Sequence, residues 1–250
     1  MRHRFSLPLV VALAACGTNN ATADLSAPQD STGSAINGGS SDNGDPAVGL
    51  LWLGSGFCTG TLISNNVVLT AGHCVHGETV EGFYIGKGTA TSASTFSGPP
   101  PNSTRYAAVA QAAYSGYSSS NACPNQTVDL ALVRIEAVSG IAPLAYASNT
   151  NFSNNQRCTA IGFGKHASGS QTTVEAKRKA TEIVTDATAS SVDVTKGSGI
   201  TAQGDSGGPL ICGGQIVGVT SCGDGATFTA YGRVDVASAW IAKTVRAWAN

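Results

Sequence analysis

The sequence is short of charge. Asp, Glu, Lys and Arg make up 12% of its 250 residues, about half the usual ~25%, and the formal net charge is −1. It has no basic block, which argues against nucleic acid as a partner, since that mode needs clustered Lys and Arg. There is no CxxC pair and no His-rich cluster, so a zinc site has little support, and no metal or cofactor is expected. Nor is there an internal repeat or a heptad pattern. The apolar run from Phe5 to Ala15 is too short to span a bilayer as a helix. What fills the space instead is glycine, 31 residues of it, with Ser, Thr, Ala and Val. That composition favours turns and strands over helices.

The short apolar run has a different meaning. It follows Arg2, His3 and Arg4, and a positive start before a brief apolar stretch reads as an export signal. The run ends in Leu13-Ala14-Ala15-Cys16, which resembles the lipobox of bacterial lipoproteins, whose cysteine is lipidated and becomes the new N-terminus. One acylated cysteine would tether the chain to a membrane surface. The alternative is an ordinary signal peptide cut after Ala15, with Cys16 incidental. Residues 17–35 are small, polar and aperiodic, the texture of a flexible linker or propeptide. The expected division is therefore 1–16 signal, 17–35 linker, and 36–250 the folded domain of an exported protein. Six further cysteines remain, an even set that points to disulfides formed in an oxidising compartment.

From Ile36 onward short apolar runs alternate with Gly, Asn and Ser clusters. They are Val48–Leu53, Thr61–Ile63, Val67–Thr70, Leu130–Ile135, Cys158–Phe163, Glu182–Thr185, Pro209–Cys212 and Ile216–Thr220. Many short strands between turn signals indicate an all-β sandwich or barrel. Residues 88–104 and 115–127 read as long surface loops. After Asp235, a plausible N-cap, Val236, Trp240, Ile241, Val245 and Trp248 fall at helical spacing, so a terminal helix packing on the barrel is expected.

Three stretches carry chemistry: Thr70-Ala71-Gly72-His73-Cys74, Val128-Asp129-Leu130-Ala131, and Gly204-Asp205-Ser206-Gly207-Gly208-Pro209. With these in the order His, Asp, Ser, the chain from Ile36 onward resembles the chymotrypsin/trypsin family of serine peptidases. The resemblance implies two six-stranded antiparallel β-barrels with a C-terminal α-helix, protein or peptide substrates, and a monomer. Physical reasoning runs beside it. A serine hydroxyl is a weak nucleophile until a base takes its proton, and imidazole titrates near neutrality. His73 is the candidate base and Ser206 the nucleophile. Asp129, set among Leu and Val, needs hydrogen-bond partners to stay charged, and His73 with the Ser221 hydroxyl could supply them. The amides of Gly204 and Ser206 would form an oxyanion hole. A non-catalytic binding protein and an esterase are the competing functions; an intact triad argues against the first and the His–Asp–Ser order against the second.

The family pattern pairs Cys58 with Cys74 and Cys158 with Cys212. The usual cysteine four residues before the nucleophile is Ala202 here, and Cys222, within Ser221-Cys222-Gly223, stands where the family has Trp. A Cys123–Cys222 bridge across the substrate groove is expected, with two free buried thiols as the alternative. Ile36-Asn37-Gly38-Gly39 resembles the family's activation site, where cleavage frees an α-amino group to pair with Asp205; otherwise it is linker. The pocket base, six residues before the nucleophile, is Ile200, and a wall position aligns with Thr229. With Ser221 and Gly223 these residues are expected to line a pocket for small apolar side chains.

Overall fold

The computed structural model describes residues 36–54, 56–86, 103–119, 123, 127–164 and 177–249. The signal and linker expected over 1–35, including Cys16, and most of the loop expected over 88–104 lie outside these residues.

Two closed barrels of antiparallel strands form the protein. The first comprises β2 (Val48–Trp52), β3 (Phe57–Ser64), β4 (Val67–Thr70), β5 (Gly82–Gly86), β6 (Ser103–Ala113) and β7 (Ala131–Ile135), in the order β2-β3-β4-β7-β6-β5. The second comprises β8 (Arg157–Gly162), β9 (Arg178–Ala187), β10 (Ser191–Lys196), β11 (Pro209–Cys212), β12 (Gln215–Gly223) and β13 (Phe228–Arg233). Its order is β9-β10-β13-β12-β11-β8, closed by β8 on β9. A two-residue strand, β1 (Ser40–Ser41), adds to the free edge at the start of β9. Closure removes the exposed edges that short, weakly charged strands would otherwise present to other chains.

Each barrel has its own core. Leu51, Leu62, Val68, Phe83, Leu130 and Leu132 fill the first; Ile36, Ala160, Val184, Val192, Leu210 and Tyr231 fill the second. Val48, Leu50 and Tyr84 of the first meet Ile161 and Phe163 of the second in a shared layer. Of the three catalytic candidates, His73 and Asp129 adjoin strands of the first barrel and Ser206 adjoins a strand of the second, so they come from both sides of this seam.

A single α-helix, α1 (Ser238–Trp248), ends the described chain. Ile241 is fully buried, and Trp240, Val245 and Trp248 pack against the first core. Asp235 does not cap it. Residues Asp235–Ala237 form a 3₁₀ turn, and the Asp235 carboxylate accepts from the Arg233 guanidinium at 3.0 and 2.7 Å and from the Thr150 amide at 3.2 Å. Those stronger, charge-assisted bonds compete with capping. Val236 is correspondingly 41% exposed instead of joining the packed face.

Candidate active site

His73 sits in a 3₁₀ turn, Gly72–Cys74, directly after β4. Cys74 is bonded to Cys58 on β3, which fixes this turn to the barrel wall. Asp129 precedes β7, the neighbour of β4, so the sheet register carries both side chains to the same end of the barrel. The Asp129 carboxylate accepts from the His73 amide at 2.9 Å and the Ser221 hydroxyl at 2.6 Å, and pairs with His73 Nδ1 at 2.7 Å. Burial opposes its ionisation, but His73, Ser221 and the His73 amide outweigh that and hold its carboxyl below the ordinary value. The arrangement fixes a proton on Nδ1 and turns Nε2 outward, while the imidazole remains 35% exposed. Tyr117, which sequence reasoning missed, covers this corner. A Cβ at Gly72 would lie 2.7 Å from its ring and 3.0 Å from Asp129 Oδ1, so only glycine fits there.

Ser206 lies in the turn before β11. This turn is anchored to the first barrel by Thr59, a second residue that sequence reasoning missed. The Thr59 amide donates to the Ser206 carbonyl at 2.7 Å, and its hydroxyl donates to the Gly204 carbonyl at 3.1 Å. The same hydroxyl accepts from the Phe163 amide at 3.2 Å, and the Thr59 carbonyl accepts from Thr70 Oγ1 at 2.9 Å. Thr59 adjoins Cys58, so one short segment ties the serine turn and the histidine turn together. Gly204 has φ +96°, and a Cβ there would sit 2.6 Å from the Phe57 ring. The amides of Gly204 and Ser206 donate to no described residue, as two donors reserved for an oxyanion would.

Beneath the serine turn Asp205 is fully buried. It accepts from the Gly164 amide at 2.7 Å, the Ala202 amide at 2.8 Å and the Ile36 amide. Burial nonetheless pushes its carboxyl up to about 7. Ile36 is fully buried in the second core and has φ +51°, a strained value for a β-branched residue.

A cleft of about 290 Å³ opens beside Ser206, lined among others by Thr201, Ser221, Cys222, Gly223, Asp224 and Thr229. Of the expected pocket residues, Ser221, Gly223 and Thr229 line this cleft. Ile200 does not. It is fully buried beside Ile36 in the second core, with its amide bonded to the Asn37 carbonyl at 3.0 Å. Neighbours in an extended chain point to opposite sides, so Thr201 faces the cleft and the expected apolar floor is replaced by hydroxyls. The one acid among the described residues of the lining, Asp224, is engaged. Its carboxylate accepts from the amides of Ala226, Thr227 and Phe228 at 2.9, 2.7 and 2.9 Å and from the Thr227 hydroxyl at 2.5 Å. Those bonds hold its carboxyl far below the ordinary value.

All three expected disulfides are present: Cys58–Cys74, Cys158–Cys212 and Cys123–Cys222. Cys222 lines the cleft, so the last of these closes one wall of it.

The sequence from 36 to 241 matches the family model Trypsin. The chain belongs to the trypsin family. It is similar to a trypsin of Saccharopolyspora erythraea, 27% identical over 187 residues, covering 69% of this chain and 78% of that one. It is also similar to alkaline trypsin C of Manduca sexta, 28% identical over 184 residues, covering 67% and 69%. Among solved structures, mouse neuropsin, a serine protease, superposes with a TM-score of 0.67 at 23% identity, covering 83% of this chain and 98% of that one. This trypsin-family protein is a serine endopeptidase, and its two barrels are the chymotrypsin-like fold.

Proposed function

We propose that this endopeptidase cleaves peptide bonds through an acyl-enzyme on Ser206. His73 takes the hydroxyl proton as Ser206 Oγ attacks the scissile carbonyl, then returns it to the leaving amine. Asp129 holds the imidazole tautomer and stabilises the imidazolium. The amides of Gly204 and Ser206 receive the oxyanion, a contribution of ~3–4 kcal/mol per donor. The observation that carries this reading is the Asp129 carboxylate, bonded to both His73 and Ser221 at the wall of the cleft that holds Ser206. A fluorophosphonate probe should label the protein at Ser206 and fail to label Ser206→Ala. Labelling that persists in the variant, or labelled protein that leaves casein intact, contradicts the assignment.

Activation follows by cleavage before Ile36. In the uncut chain a peptide N–H, not a cation, faces Asp205, and burial leaves that carboxyl near 7. A freed α-amino group at the same place would neutralise it and relax the strained Ile36 backbone. Active enzyme should begin at Ile36.

The primary pocket takes small uncharged side chains. Support comes from the β-branched wall at Thr229 and from Asp224, whose carboxylate is already spent on its own loop. Export and lipidation at Cys16 complete the reading, with the domain released from its anchor when the 35–36 bond is cut. Fractionation should find proenzyme in membranes and active enzyme in the soluble phase.

A further inference from the structure

Behind the cleft lies a buried acid for which the peptidase chemistry has no use. Glu182 occupies an inward position of β9, between Ala180 and Val184, and is fully buried. Its carboxylate accepts from the Thr201 amide at 2.7 Å through Oε1 and from the Tyr231 hydroxyl at 2.5 Å through Oε2. Tyr231 is itself fully buried, and its hydroxyl oxygen lies 3.5 Å from Thr201 Oγ1. Thr201 Oγ1 is in turn 2.8 Å from Thr229 Oγ1. A chain of oxygens therefore runs from the carboxylate to two hydroxyls on the cleft wall.

The order of protons along it follows from electrostatics. Each hydroxyl has one proton to give. A carboxylate at one end draws the Tyr231 proton, which leaves the Tyr231 oxygen able only to accept. Thr201 then donates towards Tyr231, and Thr229 donates towards Thr201. All the O–H dipoles point at the buried charge. The end facing the cleft is left with lone pairs and no proton. Glu182 does not reach the cleft, because Thr201 intervenes, and the Asp224 carboxylate on the lining is engaged by its own loop, so an entering ammonium would exchange its hydration mainly for hydroxyl oxygens. A neutral N–H or O–H loses little and gains an acceptor.

We propose that Glu182, acting through Tyr231 and the paired hydroxyls of Thr201 and Thr229, makes the primary pocket select neutral side chains that carry a hydrogen-bond donor, such as Asn and Thr, over apolar residues of the same shape. The inference rests on Ser206 being the nucleophile and its cleft being the primary pocket. Glu182 and Tyr231 are positioning residues, since neither lines the cleft.

Matched peptides test it: Asn against Leu, and Thr against Val, at the residue before the scissile bond, assayed at pH 8.5. We expect kcat/KM to favour each donor about tenfold, the size of one hydrogen bond left unmade in a closed site. In Tyr231→Phe, and separately in Glu182→Gln, the preference should fall to about twofold or less. A ratio of two substrates on one preparation is independent of how much enzyme has folded, so a fragile variant still gives an answer. Wild-type enzyme that cuts Leu and Val as fast as Asn and Thr overturns the proposal. So does a preference that both variants retain. Failure of Ser206 to react with a fluorophosphonate would instead defeat the underlying peptidase assignment, leaving the two failures distinct.

Discussion

The two barrels solve the same packing problem with different electrostatics. In the first, the one buried acid among the described residues, Asp129, has three donors and is held ionised. In the second, two acids are sealed inside. Asp205 and Glu182 have mainly amide and hydroxyl donors, and burial leaves both carboxyls near 7. A carboxylate that meets an imidazole able to become cationic keeps its charge; one that meets only neutral groups is poised to lose it. The acid of the first barrel thus has its partners as folded, whereas under the proposed activation Asp205 of the second would gain a cation.

Removing the Asp205 carboxylate should have the largest effect. If cleavage before Ile36 activates the enzyme as proposed, Asp205→Asn gives the new amine nothing to pair with, and kcat/KM is expected to fall at least about a hundredfold, the scale of a lost oxyanion donor. Gly164→Ala should act alike, because its Cβ would lie 2.5 Å from the Asp205 carboxyl carbon. Peptide hydrolysis by activated protein measures both, and near-normal turnover in either would erase the distinction between the barrels.

The uncut Ser206→Ala protein should show the same asymmetry as pH dependence. The Asp205 carboxyl is raised from 3.8 to about 7 on folding. The folded state therefore binds the proton more tightly than the unfolded state. Its contribution to stability is full below about pH 4 and is lost as pH rises towards 7. Thermal unfolding should weaken across that window, with Glu182 adding to the slope, and Asp205→Asn should flatten it. A slope unchanged by Asp205→Asn would refute the burial argument.

The seam offers a sharper contrast within one strand. Thr59→Val leaves the buried Gly204 carbonyl and Phe163 amide without their hydroxyl, and should cost about 2 kcal/mol with a drop in kcat. Thr61, two residues on, is equally buried but its hydroxyl has no hydrogen-bond partner among the described residues. Thr61→Val should be neutral or slightly stabilising in a urea titration. Ser221→Ala removes one of three donors from Asp129 and should lower kcat about tenfold with KM little changed. The smallest effect is expected at Asn37, whose Nδ2 donates to the Gly225 carbonyl on the cleft loop at 3.2 Å. Asn37→Val should raise KM only a few-fold.

Much of this was legible in the sequence because the signals are local. Strands β4 and β11 match the apolar runs residue for residue, and the triad candidates fall in short, distinctive stretches. Strands β5, β6, β10 and β13 were missed, since glycine, alanine and polar residues break their apolar pattern. Thr59 and Tyr117 left no trace because their roles depend on partners far along the chain. Glu182 did leave one: an acid at an inward place in the alternation Ala180, Glu182, Val184 demands a buried partner. Ile200 was assigned to the pocket by alignment, where a one-residue step in an extended chain reverses the direction of the side chain.

The most direct test of the account follows the labelling of Ser206 by a fluorophosphonate before and after the 35–36 bond is cut. Labelling should accelerate at least about a hundredfold, in step with the appearance of an N-terminus at Ile36. Equal labelling of the uncut chain, or full activity with any other N-terminus, would contradict it.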